Sequence, residues 1–363
     1  MRALTLAAAA TAALVVAGAG EAGSHRDSIR PVLEAVVTEG SPGAIVLVDD
    51  RAGRRKAASG LAVLEGRVPI RAGDRFRAAS ITKTFVAVVV LQLVAEERLR
   101  LEDTVERWLP GLVPHGDRVT VRDLLGHRSG LADYASDEAF LRRTVTQPQR
   151  RWTPRELLEV AFAAGEVTPA GRRFAYASTN YILLGLVVER VTGTPLAFQL
   201  RRRVLVPLAL RDTSFTPGGR MPGRHVHGYS PSVHDGIVSS PATARDRSTA
   251  SASWAWAAGA VVSTAPDLSR FLGALLEGRL LPARLLRLMR PAPGARYGLG
   301  LAAFETPCGT AVGHTGNLLG TVSAAWSTAD GRRRVVAMTN SYPLAPAADT
   351  AMRRLLDTAF CAR

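Results

Sequence analysis

Lysine is nearly missing from this 363-residue chain: Lys56 and Lys83 are the only two among 46 basic residues. Where arginine serves for generic positive charge, each retained lysine is a candidate for work that needs a releasable proton, which a guanidinium does not supply. Cysteine is scarce too, with Cys308 and Cys361 alone; neither suits a nucleophile, and they leave two arrangements open, a disulfide or two buried thiols. The chain has no His-Glu-x-x-His, and His225-Val226-His227 has no third ligand at useful spacing, so no metal and no cofactor are expected. Aromatics make up 6% of the residues, and they do not interleave with the arginines, which argues against nucleic acid despite a net charge of +15. That charge points instead to polyanions such as cell-wall polymers. Arg201-Arg202-Arg203 and Arg332-Arg333-Arg334 read as solvated faces.

Apolar runs that read as membrane spans are also wanting. The N-terminal run, Ala3 to Ala17 after Met1-Arg2, falls short of the roughly 20 residues that span a bilayer and is rich in alanine and glycine. With the small residues Ala17-Gly18-Ala19 behind it, it reads as a signal peptide rather than an anchor, with cleavage near Ala19 or Ala22 and export. No repeat or low-complexity linker divides the remainder, which reads as one catalytic unit of two lobes from residue 23 to 363, expected to be a monomer.

What the chain does contain begins with Ser80-Ile81-Thr82-Lys83, opening a long apolar helical run to Leu99 with neither proline nor glycine. Three residues apart on a helix, Ser80 and Lys83 share a face. At the helix N-terminus a serine hydroxyl sits beside unpaired N–H groups and the positive end of the dipole, which suits a nucleophile. An N-cap serine and an unrelated surface lysine make the same tetrapeptide. Two further patches favour catalysis: Phe174-Ala175-Tyr176-Ala177-Ser178-Thr179-Asn180 ahead of a helical pattern, and Gly313-His314-Thr315-Gly316-Asn317 after a strand-like run.

The order and spacing of these three patches resemble the serine penicillin-recognising enzymes, in the branch of class C beta-lactamases, secreted D-alanyl-D-alanine carboxypeptidases and related esterases, whose elements are S-x-x-K, Y-x-N and K-T-G or H-T-G. Similarity extends to Arg122-Asp123-Leu124-Leu125-Gly126-His127-Arg128-Ser129-Gly130-Leu131, to Ser253-Trp254-Ala255 and to Tyr297-Gly298-Leu299-Gly300-Leu301. The resemblance implies an α/β (α+β) fold of beta-lactamase/transpeptidase type: an antiparallel sheet flanked by helices, from about 25–80 and 292–363, with an inserted mostly helical lobe, about 81–291. It further implies a Cys308–Cys361 disulfide and an acyl-enzyme on Ser80. In that chemistry Lys83 and Tyr176 jointly take the proton in a shared desolvated site, and the N–H groups of Ser80 and Asn317 form an oxyanion hole. His314 is expected to partner Tyr176, with Thr315, Gly316, Ser178 and Trp254 lining the substrate cleft and Thr144 at a substrate-contacting position. Expected ligands are peptidoglycan-type D-peptides or small esters and amides, with beta-lactams as acylating agents.

Three departures weaken the carboxypeptidase form of that expectation. Ser178 replaces the asparagine of Y-x-N and cannot present both an acceptor and two donors. Ala302 stands where the carboxypeptidases place a carboxylate-binding arginine, and Leu318-Leu319 make the rim apolar. A D,D-carboxypeptidase leads, an esterase or D-amino-acid amidase comes next, and a beta-lactamase or a non-catalytic binding protein follows.

Patterning supplies the frame. Residues 44–49, 56–64, 297–306, 321–327 and 334–339 read as strands, the last two joined at Ala329-Asp330-Gly331. Thr153-Pro154-Arg155-Glu156 reads as a capping box opening a helix over 157–164.

Overall fold

The computed structural model describes residues 24–165, 169–230, 233–234, 237–238 and 244–362; the expected signal peptide lies outside them. Seven strands make one antiparallel sheet: β1 (Gly43–Asp50), β2 (Gly53–Val63), β3 (Val68–Pro69), β4 (Ala302–Thr306), β5 (Gly309–Leu318), β6 (Thr321–Ser327) and β7 (Arg334–Thr339), in the order β4-β5-β6-β7-β1-β2-β3. The C-terminal strands therefore pair with the N-terminal ones, Leu47 opposite Val336 across β1 and β7. The intervening chain supplies most of the described helices.

Alternation along β1 explains why the sheet has two cores. Ile45 and Leu47 point to one face, into the apolar mass of the helical lobe. Ala44, Val46 and Val48 point to the other, against the terminal helices α1 (Ser24–Thr38) and α2 (Pro346–Cys361). A strand buried on both faces has no polar side to show, and Ala44–Val48 are all buried. Cys308, in the β4–β5 turn, and Cys361, at the end of α2, form the disulfide implied above, which ties the sheet edge to the last helix.

In the helical lobe, the segment Thr82–Ala95 (α3) is apolar all round and is accordingly central rather than peripheral, with Thr82–Leu91 buried without exception. The Thr153 and Glu156 side chains each bond the other's backbone N–H, as a capping box requires, and open the helix Pro154–Ala163.

Two expectations on boundaries are corrected. The strand expected over 297–306 begins only at Ala302, because Gly300 takes φ +112° and a side chain there would meet the Cβ of Ala87. Ser80 is not a cap on the long helix; it lies in a short 3-10 turn, Ala79–Ile81, that feeds α3, with Ala79 in the left-handed region at φ +49°.

Candidate active site

Three elements converge on one cleft of about 650 Å3: the turn Ala79–Ile81 with the first turn of α3, the segment 174–178 ahead of the helix Thr179–Thr192, and β5 on the sheet edge. Ser80, Lys83, Tyr176, Ser178, Trp254, His314, Thr315, Gly316 and Asn317 all line it. Thr144 does not. Its hydroxyl turns inward to the Leu141 carbonyl at 2.7 Å on the helix Glu138–Thr146, and it is Leu141 that reaches the cleft.

Lys83 is fully buried and has three polar partners: Ser80 Oγ at 3.1 Å, the Ala258 carbonyl at 3.0 Å and Ser178 Oγ at 3.5 Å. An ammonium can donate to all three. A neutral amine satisfies the same set by donating to Ala258 and Ser178 while its lone pair accepts the Ser80 hydroxyl. Either protonation state is therefore accommodated without moving an atom. The second lysine, Lys56, is exposed on β2.

The phenol is arranged differently from the expected shared pair. Tyr176 is 40% exposed, so it is not desolvated, and its hydroxyl makes no hydrogen bond among the described residues. It meets Lys83 through its ring, whose centroid is 5.0 Å from Nζ. Ser80 thus has Lys83 as its direct partner.

His314 also departs from expectation. Its Nδ1–H donates to the Thr315 carbonyl, which leaves Nε2 to accept from Tyr297 Oη at 3.1 Å; Tyr297, not Tyr176, is its partner. Burial, reinforced by the Lys83 cation, pulls its pKa down to about 3, so the ring is neutral and offers no positive charge to a substrate anion. Burial first, and Lys83 next, likewise hold His127 well below the ordinary histidine range. Both histidines must gain protons on unfolding in acid, so stability is full above the unfolded pKa of about 6.5 and falls as pH drops toward the folded values. Chemical denaturation from pH 7 to 4.5 should show stability declining by up to about 1.4 kcal/mol per pH unit per histidine, with a shallower slope in His314→Gln.

Sequence reasoning gave no role to Tyr297, Asp133, Arg296 or His127. Tyr297 and His127 lie inside segments already singled out for resemblance, but nothing in a sequence says that they meet. Asp133 accepts from the Ser178 and Ala135 N–H groups, at 3.0 and 3.1 Å, and so anchors the loop that carries Ser178; burial outweighs those bonds and raises its pKa. Arg296 lines the cleft beside Ala302, and no carboxylate among the described residues lines it. Leu318 is buried against Ala79, Ala252 and Ala255 and still lines the cleft, whereas Leu319 does not, so only part of the expected apolar rim faces the cleft.

The family model described as Beta-lactamase matches residues 28–360, which is most of the chain. This chain belongs to that family. Its scaffold is that of the serine hydrolases that recognise penicillins. Among solved structures, a D-stereospecific amidohydrolase from Streptomyces sp. superposes with a TM-score of 0.82 at 35% identity, over 93% of this chain and 99% of that one. The D-amino acid amidase from Ochrobactrum anthropi SV3 complexed with D-phenylalanine gives 0.82 at 26% identity, over 94% and 100%. Among curated proteins, esterase EstB of Burkholderia gladioli is 35% identical over 188 residues, 44% of this chain and 43% of its own length. A D-aminopeptidase of Brucella anthropi is 26% identical over 309 residues, 83% and 56%. The chain thus spans about half the length of these curated relatives. Ser80, Lys83, Tyr176 and His314, the residues expected for S-x-x-K, Y-x-N and H-T-G, thus share one cleft, with Ser178 in place of the asparagine.

Proposed function

We propose that this chain hydrolyses amide or ester bonds of small D-amino-acid derivatives through an acyl-enzyme on Ser80. The observation that carries this is the make-up of the cleft wall: Phe174, Tyr176, Trp254, Tyr297 and Tyr342 line it, and Ala302 leaves space where an arginine would clamp a carboxylate. Aromatic walls bury an apolar side chain and give little reason to demand a charged terminus. The likeness to a D-stereospecific amidohydrolase over nearly all of both chains supports the D configuration.

In this reading Ser80 Oγ attacks the acyl carbon while Lys83 accepts its proton across the 3.1 Å contact. The N–H groups of Ser80 and Asn317 receive the developing oxyanion. Tyr176, 40% exposed beside Lys83, gives the proton of its own hydroxyl to the leaving amine and then helps to activate water for deacylation. Thr315 and Gly316 shape the wall on the β5 side, Trp254 and Ser178 the opposite one.

A second reading, a D,D-carboxypeptidase acylated by penicillins, is favoured by Arg296, a cation in the cleft with no carboxylate partner among the described residues. The disulfide and the apolar N-terminal stretch support export for either activity.

A substrate panel separates them. D-phenylalanine amide should be hydrolysed at least about tenfold faster than the L isomer, a factor that stereochemical fit in a pocket supplies, and faster than a D-Ala-D-Ala peptide. Ser80→Ala should abolish both turnover and any covalent adduct with benzylpenicillin seen by mass spectrometry. Equal rates for the two isomers would sink the D-amidase reading, and preference for the dipeptide terminus would favour the second one.

A further inference from the structure

We propose that His127 is the positioning residue that fixes Tyr176 over Lys83. This rests on the reading of Tyr176 as the group that delivers the proton to the leaving amine. The half-exposed Tyr176 has no side-chain hydrogen bond to hold it among the described residues. Three contacts from one residue hold it instead. The Ala175 N–H donates to the His127 carbonyl at 2.8 Å, and the Ala177 N–H donates to His127 Nδ1 at 3.2 Å. Between them the Tyr176 ring stacks on the imidazole, with centroids 4.2 Å apart and planes 28° apart. The residues before and after the tyrosine, and the tyrosine itself, are all registered on a single side chain and its own carbonyl.

His127 is itself locked. It is fully buried, adopts the left-handed backbone at φ +54°, and receives Asn180 Nδ2 at 3.2 Å on the same Nδ1. Asn180 is oriented in turn by the Ser129 hydroxyl, which donates to its Oδ1 at 2.6 Å. With two N–H groups aimed at Nδ1, the ring proton resides on Nε2, and that Nε2–H has no hydrogen-bond partner among the described residues. Around it stand Tyr176, Tyr181, Tyr297 and Phe174, with Lys83 and His314 the nearest charged or titratable groups beyond them. A histidine kept merely for packing has no need to leave a buried donor orphaned. One serving as a flat plate, with its acceptor turned to the catalytic loop, leaves its other nitrogen wherever the plate's edge falls.

The step at stake is acylation by an amide. Ser80 Oγ bonds to the acyl carbon and the C–N bond breaks. Lys83 holds the proton that the serine gave up, and the amine leaves with the proton of the Tyr176 hydroxyl, which solvent replaces at this 40%-exposed residue. A tyrosine displaced by an ångström or so loses most of its advantage in that transfer, on the order of 100-fold.

The test is a double-mutant cycle of His127→Asn with Tyr176→Phe, following cleavage of D-phenylalanine p-nitroanilide, with p-nitrophenyl acetate alongside because its leaving group departs without a proton. His127→Asn keeps an acceptor for the Ala177 N–H but removes the plate. It should lower kcat on the anilide about 100-fold with KM within about threefold, and lower acylation by the ester less than about threefold. In the Tyr176→Phe background the same change should cost less than about threefold on the anilide. Equal losses in both backgrounds, or on both substrates, would assign His127 a purely structural role and overturn the proposal. If His127→Asn does not fold, His127→Gln, which keeps volume and an acceptor without a ring, is run through the same cycle; an anilide rate equal to that of the parent overturns it too. A parent protein that cleaves the ester but leaves the anilide intact defeats the amidase reading itself and takes this inference with it.

Discussion

Replacing Lys83 with methionine is expected to slow acylation of Ser80 on the order of 1,000-fold or more, measured by stopped-flow release of p-nitrophenol from an activated ester. Methionine nearly preserves volume in a site with no solvent exposure, so the loss reports the amine. The substitution leaves the Ala258 carbonyl without its 3.0 Å donor and the Ser80 hydroxyl without its nitrogen partner at 3.1 Å. Part of the effect is then a stability cost of about 1–3 kcal/mol for an orphaned buried acceptor, visible as a lower Tm. Lys83→Arg separates charge from proton transfer. Arginine keeps the cation but does not deprotonate in the working range, so it should be nearly as inactive as methionine. Substantial activity in Lys83→Arg would make the residue an electrostatic anchor and send the proton from Ser80 elsewhere.

Gly316→Ala should be almost as damaging, for a purely steric reason. A Cβ at that position would sit 2.5 Å from the Ala78 carbonyl, 2.7 Å from the Ser80 nitrogen and 2.8 Å from the Ala79 Cβ. All three are backbone or short side-chain atoms with nowhere to go, so β5 must withdraw from the nucleophile turn. The N–H groups of Ser80 and Asn317 lie on the two sides of that gap. Their separation should remove oxyanion stabilisation, lowering kcat about 100- to 1,000-fold while KM for a neutral amide changes little. The Ser323 hydroxyl, which donates to the Ala78 carbonyl at 3.0 Å, braces the same contact. A Gly316→Ala protein with near-normal kcat would show that the oxyanion is held by other donors.

Much of this was legible before any coordinates. The uniformly apolar stretch after Ser80 could only be a buried helix, and the strands of the last hairpin, Thr321–Ser327 and Arg334–Thr339, follow from β-branched runs flanking Asp330-Gly331. Residues that the structure gathers into one cleft stood out in the sequence by their types: a lysine in a chain nearly without lysine, a tyrosine and a histidine in short recognisable contexts. What the sequence withheld was pairing. That His314 bonds Tyr297, that His127 lies under Tyr176, and that Thr144 faces away from the cleft are outcomes of packing between segments far apart in the chain, and no local pattern encodes them. The desolvated pair expected of Lys83 and Tyr176 failed for the same reason: both line one cleft, but a spacing cannot say which side of a ring meets an amine.

The first and last helices share one face of the sheet, and the disulfide fastens the last of them to the turn between β4 and β5. That turn continues directly into the strand bearing His314, Thr315, Gly316 and Asn317. A restraint lost at the carboxyl end is therefore felt along a single strand at the cleft wall. Mild reduction should accordingly loosen substrate discrimination at concentrations of thiol too low to unfold the protein.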